Sequence, residues 1–450
     1  MSGQKRTAGV LWASPADRIM LAEARAGAHD SRVHVGVFSR MPGPAPAPDE
    51  VRALLADAVD RAPTLTYRIT GRGRRAHWEV DPGFDLDRHV VEYRVRPGRS
   101  LQQAVMDALR AHPLPREHPL WSVIVLHGHR QDEYALCYRA HHAFQDGMAV
   151  ARTCEAVFGG AALHRPEPQP APERPPTRLL LTALRDFGRI AWRPARWLPR
   201  ATRTGTPTPA LHTAVLDADA VRAIAAGTGA TPAQIGLAVL AGALRAWQPQ
   251  HWTGRPARRQ RRGLPTLLSM SLRPITDRSA LGTRAGLLPV ALPCAEPSPL
   301  RRLDQVRAHG ASARISLHHR AQSYIWRRLP YPLIKAFWTT SARTSPGYLV
   351  TTSYMLPPGL RGSAVDTGAV FTVPQLMRGS VGTVQFIVQG AVVTASLLFD
   401  PAVPDVDRLP NLLAAALADL HAALPDTATA HGGGLTARPG PARGGGRRSC

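Results

Sequence analysis

The chain has 450 residues, a mass of 48.6 kDa and 44% hydrophobic content, enough for two or three ordinary domains with real cores, which excludes a peptide or a wholly disordered chain. Its 56 Lys+Arg against 32 Asp+Glu give a net charge of +24, nearly all of it arginine because Lys5 and Lys335 are the only lysines, and this favours an anionic partner without naming it. Cys137, Cys154, Cys294 and Cys450 are scattered with no C-x-x-C spacing, which argues against a disulfide framework or thiolate zinc site and for a reducing cytoplasmic setting.

In chain order, the apolar run 8–13 is too short for a secretory core and is closed by Ser14-Pro15-Ala16-Asp17. Nowhere does an apolar stretch reach the ~18 residues of a spanning helix, so membrane association is expected to be peripheral at most. The segment 71–76 (GRGRRA) fits G-x-G-x-x-A formally, but no amphipathic helix follows to receive a pyrophosphate, and a hairpin turn is expected. Residues 101–112 read as a helix with Ser100 as N-cap, while 121–127 and 133–139 alternate as strands. Next comes His141-His142-Ala143-Phe144-Gln145-Asp146-Gly147, then a helix with apolar Met148, Ala151, Val157 and Phe158.

The proline-rich stretch 164–177 (HRPEPQPAPERPPT) cannot form a packed element and divides the chain. Beyond it, 178–200 carry Leu180, Leu184, Phe187 and Ala191 at helical spacing, with Arg185, Arg189, Arg193, Arg196, Trp192 and Trp197. This basic segment either rests on an anionic bilayer or packs as a crossover helix on the second half. Thr231 and Gln234 form a capping box with Pro232 at the first helical position, ahead of a buried face of Ile235, Val239, Leu240, Ala243, Leu244 and Trp247. His318-His319 lacks a following Asp-Gly and is assigned to a surface helix. Residues 384–389 and 391–399 read as strands about a turn at Gly390, and from 426 onward glycine, alanine and arginine predict a disordered basic tail.

The chemistry concentrates in 141–147. At this chain's own composition, HHxxxDG would arise by chance roughly 0.003 times. Neighbouring residues at a strand end point to opposite faces, so one histidine reacts and the other supports. His142 is the expected base, since a neutral imidazole takes a proton from an alcohol or thiol near neutral pH. His141 supports it, Asp146 braces the loop through an arginine, and Gly147 permits a tight start to the helix.

This pattern resembles the HHxxxDG signature of the CoA-dependent acyltransferase superfamily, and within it the wax ester synthase/diacylglycerol acyltransferase family. The matching elements are Ser14-Pro15-Ala16-Asp17, His34-Val35-Gly36-Val37, Phe84-Asp85-Leu86-Asp87 and Pro119-Leu120-Trp121. They continue with Gly229-Ala230-Thr231, Ala241-Gly242-Ala243-Leu244-Arg245 and Ser271-Leu272-Arg273. The chain departs from the family at Ala233-Gln234 (usually Asn-Asp), at Gly282-Thr283 (usually Gly-Asn) and at Ser353-Tyr354-Met355-Leu356-Pro357-Pro358 (usually S-N-V-P-G-P). The resemblance covers about residues 14–420.

It implies an α+β, two-lobed chloramphenicol-acetyltransferase-like fold, each lobe a mixed sheet with helices and the active-site tunnel between lobes. The expected division is 1–163 as the N-terminal lobe with the HHxxxDG motif and 164–210 as proline-rich linker and basic amphipathic crossover. The C-terminal lobe is then 211–425, and 426–450 the disordered tail. The resemblance further implies that Arg273 pairs with Asp146, that His142 deprotonates an acceptor hydroxyl attacking an acyl-CoA thioester, and that second-lobe donors steady the oxyanion.

The expected partners are thus acyl-CoA as co-substrate and a hydroxyl-bearing lipid acceptor, diacylglycerol or a long-chain alcohol. No permanently bound cofactor and no metal are expected. An anionic membrane or lipid-droplet surface is a further candidate partner, which would place the protein in the cytoplasm or at a membrane periphery. Residues 255–263 (RPARRQRRG) are a solvated loop or a set of arginine forks for CoA phosphates. Nucleic acid is not expected, because the arginines are spread out and no helix-turn-helix, RRM or zinc-finger spacing accompanies them. Walker A, G-x-S-x-G and H-E-x-x-H elements are also missing. The altered positions Ala233-Gln234, Thr283 and Tyr354 keep open a non-catalytic binding module of this fold, or a condensation-like protein acting on another acceptor.

Overall fold

The computed structural model describes residues 10–26, 30–168, 172–191, 208–253, 263–274, 277, 279–310, 312–344, 348–356 and 369–425. The arginine run at 255–262, Trp192, Trp197, Pro357, Pro358 and the basic tail lie outside them.

In the first half the order is β1 (Leu11–Trp12), α1 (Pro15–Ala26), β2 (His34–Pro42), α2 (Pro48–Val59), β3 (Tyr67–Thr70), β4 (His77–Val80), β5 (Val90–Arg94), α3 (Leu101–Ala111), β6 (Trp121–Arg130), β7 (Glu133–His141) and α4 (Gly147–Phe158). Helix α3 begins where Ser100 Oγ accepts the Gln103 N–H (3.2 Å) and Gln103 Oε1 accepts the Ser100 N–H (3.1 Å). It ends under the buried Arg139 of β7, which donates to the Leu109 and His112 carbonyl oxygens. The 71–76 segment is the turn of an antiparallel hairpin between β3 and β4.

The second half runs α5 (Thr177–Ala191), β8 (Ala210–Leu216), α6 (Ala218–Thr228), α7 (Pro232–Trp247), β9 (Leu264–Ser271), β10 (Ala285–Leu292), α8 (Pro299–His309), α9 (Ser312–Arg328), α10 (Tyr331–Thr344), β11 (Tyr348–Leu356), β12 (Val370–Val373), β13 (Ser380–Gln389), β14 (Val392–Phe399) and α11 (Leu409–Ala422). The capping box at Thr231 and Gln234 forms as expected. So does the hairpin about Gly390, whose φ of +56° suits a residue without a Cβ.

Two mixed sheets organise the molecule, in the orders β12-β2-β7-β6-β5 and β10-β9-β11-β13-β14-β8, beside a small β1-β4-β3 sheet. The α+β, two-lobed expectation is met, with one difference in the division. Strand β12 lies in the second half of the chain but pairs antiparallel with β2, Val370 opposite Ser39 through Val373 opposite Gly36, so the second half supplies an edge strand to the first sheet. The two halves also meet where Arg32 donates to Asp400 (3.1 Å), a carboxylate fully removed from solvent.

Each half has its own core. Trp121 is fully buried, stacks on His89 with ring centroids 4.3 Å apart and donates its indole N–H to the Leu65 carbonyl (2.8 Å). In the second half α7 buries Ile235, Leu240 and Leu244 against the sheet, where the Phe386 ring lies over Gly236. The described part of the basic crossover, α5, packs on β9, β10 and α9. There Asp186 accepts from Arg314 (2.8 Å) and bonds His318 Nε2 (2.9 Å). His318 is therefore buried, not on a surface face, because the crossover helix supplies an acid that sequence spacing does not reveal. Cys137, Cys154 and Cys294 are buried and unbridged. Among the described residues no single helix is long and apolar enough to cross a membrane.

Gly36 explains the H-V-G element physically. A Cβ there would collide with the Tyr138 carbonyl oxygen and lie 3.1 Å from the Arg139 Cα on β7. Gly36→Ala must therefore push β2 from its partner, and is expected to lower stability by about 1–3 kcal/mol, measured by urea unfolding.

Candidate active site

Strand β7 ends at His141, and the alternation of strand side chains sends the two histidines apart. His141 turns into the first lobe, where it is 1% exposed, its Nδ1 accepts the Ala143 N–H (3.0 Å), and its ring meets His34 edge-on at 6.2 Å. His142 turns the other way, its N–H held by the Val33 carbonyl (2.8 Å), and lines a cavity that is partly open to solvent. Ala16, Val35 and Gly147 wall this cavity from the first half, and Thr283, Thr352 and Gln385 from the second. Gly147 does not adopt positive φ; its contribution is a cavity wall without a side chain.

The Thr283 hydroxyl donates to the His142 carbonyl oxygen, so its proton is committed, and Thr283 Oγ1 remains an acceptor 3.4 Å from His142 Nδ1. That contact places the proton on Nδ1 and leaves the lone pair on Nε2. Burial pushes the imidazole pKa down to about 4 against the pull of the Asp146 charge, so the ring is neutral across the physiological range.

Asp146 does two jobs at once. Its Oδ1 accepts the Ala149 N–H (2.9 Å) as the N-cap of α4, and its Oδ2 accepts the Arg284 N–H (2.7 Å) from the far side of the seam. Arg273, just past β9, closes a bidentate pair on it, Nη2 to Oδ2 at 3.2 Å and Nε to Oδ1 at 3.4 Å. The same guanidinium donates to the carbonyl oxygens of Gly282 (2.5 Å), Leu281 (3.3 Å) and Ser279 (3.3 Å). Burial alone would raise the Asp146 carboxyl, but Arg273 and the two backbone N–H groups outweigh it and hold its pKa below the ordinary aspartate range.

A third anchor was not assigned from the sequence. Asp17 accepts the Thr283 N–H (2.7 Å) while exchanging bonds with Ser14 at the start of α1, its N–H donating to Ser14 Oγ (3.1 Å) and its Oδ2 accepting the Ser14 N–H (2.8 Å). Burial pushes this carboxyl up, against the pull of those N–H bonds. Gly282, at φ +77°, passes close beside it, a built Cβ lying 3.3 Å from both Asp17 oxygens. The reciprocal S-x-x-D cap was the legible signal; its reach across the seam was not. Ala233 and Gln234 start α7 and do not line the cavity, so that departure is a capping matter. A narrow recess borders the cavity at Val35, Gly147 and Gln385, and Val37, Val150, Ala151, Val373 and Ile387 give it apolar walls. Among the described residues no group of three His, Cys, Asp or Glu side chains is arranged to hold a metal ion.

The family model for the wax ester synthase/diacylglycerol acyltransferase catalytic domain matches residues 14–262, more than half of the chain. The chain belongs to this family. A Mycobacterium tuberculosis protein provisionally named a diacylglycerol O-acyltransferase is 29% identical over 308 residues, which are 60% of this chain and 63% of that protein. The chain thus spans less than two-thirds of that relative's length. The solved wax ester synthase/diacylglycerol acyltransferase of Marinobacter aquaeolei superposes with a TM-score of 0.56 at 18% identity, covering 92% of this chain and 99% of the other. The starter condensation domain of rhizomide synthetase, solved with C8-CoA, superposes with a TM-score of 0.59 at 14% identity over 92% of this chain and 95% of that one. Within this chain, His142 and Asp146 fall inside the matched region, and Arg273 and Thr283 beyond it.

Arg273→Leu would leave the Asp146 carboxylate buried without its counter-ion and is expected to cost about 3–5 kcal/mol, read by chemical denaturation at pH 7. Because the folded-state pKa of Asp146 is depressed, the carboxylate's contribution is present at neutral pH. It is lost only as pH falls through that depressed value.

Proposed function

We propose that the protein transfers a fatty acyl group from acyl-CoA to a lipid hydroxyl, giving a triacylglycerol from diacylglycerol or a wax ester from a long-chain alcohol. The observation that carries this reading is the neutral His142, its proton placed on Nδ1, in the wall of a cavity between the lobes. Nε2 takes the proton of the acceptor hydroxyl as its oxygen attacks the thioester carbonyl carbon. The tetrahedral intermediate then collapses, the carbon–sulfur bond breaks, and the departing thiolate of CoA takes the proton back from Nε2. No acyl-enzyme forms, and the histidine ends as it began.

The Thr283 hydroxyl is committed to the His142 carbonyl, so Ser269, Thr352 and Gln385, which line the same cavity, are second-half candidates to donate to the oxyanion. The apolar walls of the recess beyond Gly147 suit contact with part of a hydrocarbon chain, whose burial stabilises the complex by roughly 0.8 kcal/mol per methylene. Family membership supports the acyl transfer, and the C8-CoA seen with the rhizomide domain supports a CoA thioester as donor.

The test follows CoA release from palmitoyl-CoA with a panel of glycerides and alcohols. His142→Ala is expected to lower turnover by about 10²–10⁴-fold with its circular dichroism unchanged; full activity in that variant would sink the proposal. The acid limb of kcat/KM is expected near pH 4, the folded-state value, since protonation removes the base only there. A solvated histidine would give about 6.5. Ala151→Phe fills the recess, so the ratio of kcat/KM for palmitoyl-CoA over octanoyl-CoA is expected to fall at least about tenfold, in line with ~1–3 kcal/mol for overpacking.

A further inference from the structure

Helices α5, α9 and α10 expose apolar side chains that an isolated globular domain gains nothing by showing. Leu181 is 55% exposed, Leu184 48% and Leu333 59%, and Ile315, Phe337 and, between α9 and α10, Leu329 are each more than one-third exposed. A single exposed leucine is ordinary, whereas several on adjoining helices mark a contact surface. These helices do adjoin, since Phe187 of α5 meets Phe337 of α10 with ring centroids 5.9 Å apart and Trp326 of α9 meets Trp338 of α10 at 6.1 Å.

Their charge is one-sided. Arg178, Arg185, Arg320, Arg328 and Lys335 are exposed on the same helices. The only acid in the three, Asp186, is already bonded to Arg314 and His318. Their inner sides matter as well, because Trp326 and Trp338 wall the His142 cavity. Apolar side chains among unopposed cations, on helices that roof a cavity, are complementary to one kind of surface: acyl chains beneath anionic headgroups. A nucleic acid would engage the cations and stack on aromatic rings, leaving the leucines without a role.

We propose that the α5–α9–α10 face seats on an anionic phospholipid surface, placing the cavity wall formed by Trp326 and Trp338 next to the lipid phase. The purpose of this contact rests on the acyl-transfer reading above, while the contact itself is measured separately.

The experiment is flotation of the full chain with vesicles of equimolar phosphatidylcholine and phosphatidylglycerol, compared with phosphatidylcholine alone and with a DNA duplex competitor. The wild type is expected to float with the anionic vesicles. The bound fraction is expected to fall at least about tenfold for Leu184→Ser/Leu333→Ser and for Arg328→Glu/Lys335→Glu. CoA release with a short-chain, water-soluble alcohol should be unchanged in both. The single Leu333→Ser serves if a double variant misfolds. Equal flotation of the leucine variants and wild type, no flotation of wild type, or displacement by DNA of a protein that ignores the leucine changes would overturn the proposal. A protein that floats but releases no CoA keeps this surface and overturns the proposed function; one that releases CoA without floating does the reverse.

Discussion

One carboxylate and one guanidinium, buried together where the two sheets meet, set the geometry on which the rest of the site depends. Each ion gives up several kcal/mol of hydration on burial, so the pair persists only because nearly every bonding direction is filled. Asp146 is met by Arg273 and by backbone N–H groups from both halves, and Arg273 spends its remaining donors on the 279–282 carbonyls. A mispositioned half would leave charges unmatched in a dry interior, so the seam has one low-energy register. That register is what brings Thr283 to His142, since Gly282 also donates its N–H to the Phe144 carbonyl (2.6 Å).

In the proposed reaction, positioning is thus separate from chemistry. Arg273 and Asp146 hold the loop, Asp17 holds the 282–283 segment opposite, and Thr283 lies against Nδ1 of a ring that they do not need to touch. The imidazole is neutral because it is desolvated, and its placement in the cavity wall provides the access that burial would otherwise deny. Thr283, where the family usually has asparagine, places a hydroxyl oxygen 3.4 Å from Nδ1, so this departure is compatible with an ordered histidine.

Local signals in the sequence were legible because they act over a few residues. The capping boxes at Ser100 and Thr231, the hairpin at Gly390, and the opposed faces of His141 and His142 follow from backbone periodicity and nearby donors. Arg273 was tied to Asp146 only through the family resemblance, since nothing in a 127-residue separation reports the contact. What escaped was non-local. His318 looks like a surface residue until α5 delivers Asp186 to it, and Asp17 looks like a helix cap until the 282–283 segment arrives. Cavity residues such as Trp326 and Gln385 carry no motif at all, because their role comes only from which elements pack together.

Strand β12 has a consequence in time as well as in space. Its partner β2 is made some 330 residues earlier, and until Val370–Val373 emerges the outer edge of β2 offers unpaired N–H and C=O groups beside a hydrophobic face. The first sheet therefore cannot be completed during synthesis of its own half, however quickly its helices form. The nascent protein therefore carries an open strand edge through most of translation, the kind of edge on which unintended pairing starts.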